Sequence, residues 1–421
     1  MKIAIVCSKL GYGGAERVAV MWANGLVFRG HDVVLISNLF EERTYFVNDR
    51  VNLYNLVSTN KNKIITWLSA ILNIKKVVNR ANPDVVIGIM GTCSIVSRLA
   101  LLGSGISVIA TEHNAFERPA YAPLSVKDRI VKFFIYRFFR CVTVLSKADE
   151  LYVKNKLNNV FVLPNPLSIP PVCLLPSSHN NIIAVGRLDD WHCKGFDLLI
   201  LAWGKTVESI KSRVENEGWK LQIAGSGSEK SLNYLKQLCK ENGVEDSVEF
   251  LGFRNDVEKL YQDASIFVLS SRYEGFGLVL IEAMSQGCAC VACDYKGRQR
   301  EIMNPTPTLP EGEGEGPLEN QSLETRNLNL DALPQRTLLE RSGEKTRNLK
   351  PETRNLPVEA CETGILCEPD DVESLAAGLR KMMEDDKYRE SVRAKAIERS
   401  KYYSIENTID RWEKLLDKVV N

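Results

Sequence analysis

The stretch from Ala264 to Gly287 constrains this chain more than any other. Ala264-Ser265-Ile266-Phe267-Val268-Leu269-Ser270 is a short apolar run of strand length, the pattern of a buried parallel strand. Ser271-Arg272-Tyr273-Glu274-Gly275-Phe276-Gly277 follows as a glycine-flanked turn. Leu278 to Gln286 then reads as a helix, with Gly287 where a C-cap glycine belongs. A buried strand feeding a helix through a tight loop is the repeating unit of a doubly wound α/β sheet. Gly275 and Gly277 let a ligand approach the backbone, and the free amides of a helix starting at Leu278 favour an anion such as a pyrophosphate. Glu274 falls on the loop and Glu282 in the helix body. Two carboxylates so placed can hold hydroxyl groups on either side of the phosphates.

The rest of the chain repeats this unit. Strand-like runs at 3–8, 32–37, 84–89, 108–111, 140–145 and 160–163 alternate with helical segments such as 15–29. Pro164, Pro166, Pro170, Pro171 and Pro176, with Ser177-Ser178-His179-Asn180-Asn181, then have linker composition. A second series follows: strands at 181–185, 220–224, 247–251, 266–270 and 289–293 complete it, with helices at 198–214 and 232–242. A chain of 421 residues exceeds one ordinary core. The expected architecture is therefore two Rossmann-like domains, 1–170 and 171–400, facing a cleft at their strand C-terminal edges. Residues 401–421 form a last helix, whose apolar period runs through Ile405, Ile409, Trp412, Leu415, Leu416 and Val419.

Residues 304–358 break the pattern. They hold seven prolines, Glu311-Gly312-Glu313-Gly314-Glu315-Gly316, and Thr-Arg-Asn-Leu at 325–328, 346–349 and 353–356. The composition suits a disordered low-complexity insertion in a surface loop, which loop-closure entropy tolerates at small cost. A dedicated interaction segment is the alternative.

A net charge of +1 gives no global signal for nucleic acid. Eleven scattered cysteines and an N-terminus without a long apolar stretch point to a cytoplasmic chain with reduced thiols. Cys288, Cys290 and Cys293 share one strand, where alternate side chains face opposite ways, so small buried residues are favoured over a metal site. No apolar run is long enough to span a bilayer. Residues 127–141 mix Lys127, Arg129, Lys132, Arg137 and Arg140 with Phe133, Phe134, Tyr136, Phe138 and Phe139, and read as an interfacial helix in peripheral contact with an anionic membrane. The bland reading packs the aromatics inside and leaves the basic residues solvated. Residues 61–80 are a similar basic-apolar segment.

Three further loops fall at strand ends. Gly11-Tyr12-Gly13-Gly14-Ala15-Glu16-Arg17 opens the first helix, but Glu16 occupies the third glycine position of a dinucleotide fingerprint, which argues against a nicotinamide or flavin. Gly186-Arg187-Leu188 and Lys194-Gly195-Phe196-Asp197 supply one Arg and one Lys, a bidentate fork and a compact charge that suit a pyrophosphate and need no metal. Thr111-Glu112-His113-Asn114 ends a strand of the first domain. A lone histidine is usually a structural hydrogen bonder, but the place of His113 at a strand C-terminal edge favours a contact with a ligand in the cleft.

Taken with Ser-x-x-Glu-Gly-Phe-Gly at 271–277 and Glu-Ala-Met at 282–284, these motifs resemble those of the GT-B glycosyltransferases of family 4, over nearly the whole chain except 304–358. The resemblance implies a retaining transferase that moves a hexose or N-acetylhexosamine from a nucleotide-sugar, a UDP-sugar on this pattern. The acceptor implied is a glycan or polyprenyl-linked glycan of a bacterial surface polysaccharide, met at the inner face of the cytoplasmic membrane. It implies that Glu282 holds the ribose hydroxyls and Glu274 a donor-sugar hydroxyl. Arg187 and Lys194 would stabilise the departing diphosphate, and His113 would contact the donor sugar. Gly13, Gly14, Gly225, Arg254, Gly275, Phe276, Gly277 and Leu278 would line the donor pocket, and no cofactor or metal is expected. The final helix would cross back to the first domain. An epimerase of the same fold, or an inactive nucleotide-sugar binder, remains open on these residues.

Overall fold

The structure, a computed structural model, describes residues 1–11, 13–39, 44–56, 62–177, 179–304 and 358–420. All but the two end residues of the 304–358 segment lie outside these. The first sheet holds β1 (Lys2–Lys9), β2 (Asp32–Asn38), β3 (Asn52–Asn55), β4 (Val85–Ile89), β5 (Ser107–Thr111), β6 (Cys141–Val144) and β7 (Val160–Val162). Their order is β3-β2-β1-β4-β5-β6-β7, parallel throughout. The second sheet holds β8 (Asn181–Val185), β9 (Lys220–Ala224), β10 (Val248–Gly252), β11 (Ile266–Leu269), β12 (Ala289–Cys293), β13 (Val358–Cys361) and β14 (Gly364–Cys367). It runs β10-β9-β8-β11-β12-β14-β13, parallel except for the antiparallel edge strand β13. The strand order reverses between β1 and β4 and between β8 and β11. Loops leaving the C-terminal ends of those strands therefore diverge and open a crevice.

Each sheet is buried on both faces, which is why its strands read as continuous apolar runs. In β1, Ile3 and Ile5 join one core while Ala4 and Val6 join the other. In β8, Ile182 and Ala184 face one core and Ile183 the opposite one. The helix Ile405–Val420 packs on the first sheet's side: Ile409, Trp412 and Leu416 share a core with Val18, Trp22 and Leu26 of the helix Gly14–Phe28. The Trp22 and Trp412 rings meet edge-on, 4.9 Å apart.

The described parts of both sheets fall within one compact unit, and several contacts tie them together. Arg298 pairs with Asp149 at 2.6 Å, both fully buried. The Lys147 amide donates to Glu301, and Lys296 pairs with Glu117 at 3.2 Å.

Several elements depart from the sequence reading. The helix expected at 198–214 is two, Phe196–Ser209 and Lys211–Glu217. Ser209 bonds back to the Lys205 carbonyl, and Ile210 leaves the helical region at φ −128°, ψ 39°. The second sheet does not end at 289–293: β13 and β14 extend it beyond the segment that separates them in sequence from β12. Strand β3 was also unforeseen, being four residues long and half polar.

The stretch 127–141 is not one helix. The helix Val126–Phe133 ends and a tight 3-10 turn, Ile135–Phe138, follows. Inward hydrogen bonds impose the change: Tyr136 donates to the Glu112 carboxylate, and buried Lys132 to the carbonyls of Asn114 and Ala115. The other side remains outside, with Val126 75%, Ile130 50%, Phe134 58% and Phe138 61% exposed. The stretch thus turns Tyr136 and Phe139 inward and leaves Val126, Ile130, Phe134 and Phe138 at the surface.

Candidate active site

The Glu274–Glu282 segment sits at the second sheet's switch point. β11 ends at Leu269, the loop crosses to Gly277 in the left-handed region (φ +95°), and the helix Leu278–Ser285 begins. Gly275 has a steric reason to be glycine. A Cβ there would stand 2.4 Å from the carbonyl oxygen of His113, so only bare backbone can approach the first lobe so closely. Leu278 approaches it as well, against Gly14. Phe276 is buried, its ring 5.6 Å from that of Tyr403.

The two carboxylates are held differently. Glu274 accepts from Lys194 at 2.6 Å and from the Ser271 hydroxyl at 2.8 Å, both in the second lobe. Burial works against the Lys194 charge, but the Glu274 carboxylate outweighs it and raises the ammonium's pKa above its ordinary value. Glu282 is almost fully buried. Its Oε1 accepts from Arg17 of the first lobe at 2.9 Å and from the Ser168 hydroxyl, and its Oε2 faces the Tyr261 hydroxyl at 3.4 Å. Burial pushes the Glu282 pKa up, and Arg17, Ser168 and Tyr261 oppose that rise.

The remaining residues named from the sequence divide. Gly13 and Gly14 open the first helix opposite Leu278. Gly225 lies over the Gly186 carbonyl, where a Cβ would stand 1.8 Å from the oxygen; it adjoins the Arg187 loop. His113 has both ring nitrogens occupied, by Thr111 and Asn165 at 3.1 Å each, and its ring is 5.5 Å from that of Trp22. Burial pushes its pKa down to about 4, against Glu112 and Asn165, so it is neutral near pH 7. Arg187 does not join Lys194 on the carboxylates: its side chain is 79% exposed and pairs with Asp190 at 2.7 Å. Arg254 is exposed too and makes a bidentate pair with Asp256.

Sequence reading missed Arg17, Ser168, Tyr261 and Asn165. Arg17 lay inside a motif already singled out, and Ser168 and Asn165 inside the proline-rich linker, which crosses between the lobes here and lends side chains to the crevice. Of the three cysteines on or beside β12, Cys288 and Cys290 belong to one core and Cys293 to the other, so they do not converge on one ion. Among the described residues no group of three or more His, Cys, Asp or Glu side chains is placed to hold a metal.

Two facing α/β sheets, with a glycine-flanked carboxylate loop at the switch point between them, define the GT-B architecture. Comparison with known proteins agrees. The model for glycosyltransferase family 4 matches residues 12–169, and that for glycosyl transferases group 1 matches 169–308. The chain belongs to the family 4 glycosyltransferases of GT-B fold and is a glycosyltransferase. It is 26% identical to an uncharacterized glycosyltransferase of Haemophilus influenzae over 407 residues, 96% of each chain. It is 27% identical to a Campylobacter jejuni α-1,4-N-acetyl-D-galactosaminyltransferase acting on a diphospho-undecaprenol-linked glycan, covering 72% of this chain and 82% of that one. The structure of Anabaena HepE in complex with UDP and glucose superposes with a TM-score of 0.68 at 16% identity, over 99% of this chain and 100% of that one.

Proposed function

We propose that this transferase moves a hexose or N-acetylhexosamine from a UDP-sugar to a polyprenyl-linked glycan in surface-polysaccharide synthesis, with retention and without a metal. One observation carries the reading. Glu274 with Lys194 and Glu282 with Arg17 bracket the amino end of the helix Leu278–Ser285, which faces the first lobe at Gly14 and His113. A diphosphate at that helix end would meet free amides and the Lys194 ammonium, with the ribose at Glu282 and the sugar at Glu274. As the glycosidic bond breaks, charge grows on the leaving diphosphate. Lys194, and Arg187 once turned from Asp190, stabilise it in place of a metal ion. The relatives' diphospho-undecaprenol substrate and the UDP in the HepE complex support the acceptor and donor classes.

The exposed row Val126, Ile130, Phe134 and Phe138, flanked by Lys127, Arg129, Arg137 and Arg140, supports seating on the anionic inner face of the cytoplasmic membrane. A pocket lined by Arg98, Arg137 and Arg140 adjoins Phe138. No helix among the described residues is long and apolar enough to cross a membrane.

Incubation with a panel of UDP- and GDP-sugars and a polyprenyl-diphosphate-linked acceptor, in EDTA, tests this. The expected product is an α-linked glycan from an α-linked UDP-sugar. A β-linked product, transfer only on adding a divalent cation, or epimerised donor without transfer would contradict it.

A further inference from the structure

Arg17 is a cleft side chain that crosses between the lobes and to which the transferase reading gives no task of its own. It leaves the first turn of the helix Gly14–Phe28 and crosses to a carboxylate 265 residues away in the other lobe. On the way its guanidinium lies 5.8 Å from the Tyr45 ring centroid and reaches the Ser168 carbonyl at 3.5 Å. Ser168, in the linker between the lobes, donates its hydroxyl to the same Glu282 oxygen.

The division between the two Glu282 oxygens is informative. Oε1 takes both strong donors, Arg17 and Ser168. Among the described residues Oε2 has only the long contact to Tyr261 and keeps acceptor capacity, since an ionised carboxylate offers about four lone-pair sites. A vicinal diol needs an ionised, correctly rotated carboxylate oxygen, and this geometry supplies one.

Resting on the reading that Glu282 takes the ribose, we propose that Arg17 is a positioning residue for nucleotide recognition. It fixes and charges Glu282 from the opposite lobe, so that nucleotide affinity depends on the two lobes being together.

The groups facing Glu282 are Arg17 from the first helix, Ser168 from the linker and Tyr261 from the helix Val257–Gln262, with Cys288 behind Tyr261. Burial holds Tyr261 well above its ordinary pKa and pushes the Cys288 thiol up to about 12, so neither carries charge near neutrality. The charge state of Glu282 thus depends on burial, which favours the acid, and on Arg17, which favours the carboxylate. The sign follows: nucleotide affinity falls as pH drops through the folded-state pKa of Glu282, and removing Arg17 moves that fall to higher pH.

UDP binding by titration calorimetry from pH 5 to 9, on wild type, Arg17→Gln, Arg17→Lys, Glu282→Gln and the double variant, tests this. The phosphate titration of UDP is common to all and cancels in ratios to wild type. Arg17→Gln is expected to weaken UDP about tenfold at pH 7.5 and to move the acid fall up by about one pH unit. Arg17→Lys should restore the position of that fall but only part of the affinity, because a lysine keeps charge and loses the fork. In Glu282→Gln, adding Arg17→Gln should change nothing. An unshifted acid fall in Arg17→Gln, or an equal loss in the Glu282→Gln background, overturns the role of Arg17. Unchanged UDP binding in Glu282→Gln overturns instead the ribose reading beneath it.

Discussion

Glu274 and Glu282 are eight residues apart in sequence, yet they answer to different parts of the molecule. Glu274 is paired with Lys194 and hydrogen-bonded by Ser271, both of its own lobe. Glu282 is paired across the crevice with Arg17 and hydrogen-bonded from the linker by Ser168. One carboxylate belongs to a site that a single lobe builds; the other belongs to a site that exists only when the lobes meet. The same contrast separates Arg298–Asp149, a buried pair between lobes, from Arg254–Asp256, a solvated pair within one. Position along the chain does not tell these apart, but the identity of the partner does.

The sharpest test of the contrast is to cut an interlobe tie away from the chemistry. Asp149→Ala strands the Arg298 guanidinium in the buried interface and should cost about 3–5 kcal/mol. It is read as a lowered Tm, with UDP still raising that Tm. A Tm within about 1 °C of wild type would mean the lobes do not depend on this pair. Next in size, Lys194→Ala should lower kcat/KM by about 10²–10³-fold, as loss of a preplaced charge at the leaving group does, with a smaller fall in Tm than Asp149→Ala because Glu274 keeps the Ser271 hydroxyl and some exposure. Activity near wild type would move the leaving-group role elsewhere. Arg187→Ala should cost less, about tenfold in kcat, because the side chain must first leave Asp190 and solvent. A loss as large as that of Lys194→Ala would show that Arg187 turns inward fully. Smallest of all, Arg254→Ala should change donor KM by less than about threefold, the range of an exposed ion pair. A tenfold effect would bring the β10 loop, which carries Arg254, into the pocket.

The fold was legible because both faces of each sheet are covered, which writes strands such as Ile266–Leu269 and Ala289–Cys293 as unbroken apolar runs. The Glu274–Glu282 loop was legible because its glycines are forced, Gly275 by the His113 carbonyl and Gly277 by its backbone angle. Part of what escaped depends on contacts far apart in sequence: nothing local marks Ser168 as a partner of a residue 114 positions on. Asp190 is only three residues from Arg187, but an acidic neighbour at that spacing does not by itself say that the Arg187 side chain turns outward to it. The break after Ser209 escaped because a backbone-bonding serine looks the same inside a helix as at its end. The break within 127–141 escaped because its inward face is set by Glu112 and the Asn114–Ala115 carbonyls, none of them within it.

The most direct measurement is thermal denaturation of wild type and Glu282→Gln with UDP, GDP, UDP-glucose, UDP-galactose, UDP-N-acetylglucosamine, UDP-N-acetylgalactosamine, GDP-mannose and NAD. A nucleotide that binds the native state raises Tm by linkage. The account predicts that UDP and one UDP-sugar raise the wild-type Tm and that Glu282→Gln loses most of that rise. An equal rise in Glu282→Gln, or a rise with NAD alone, would contradict it.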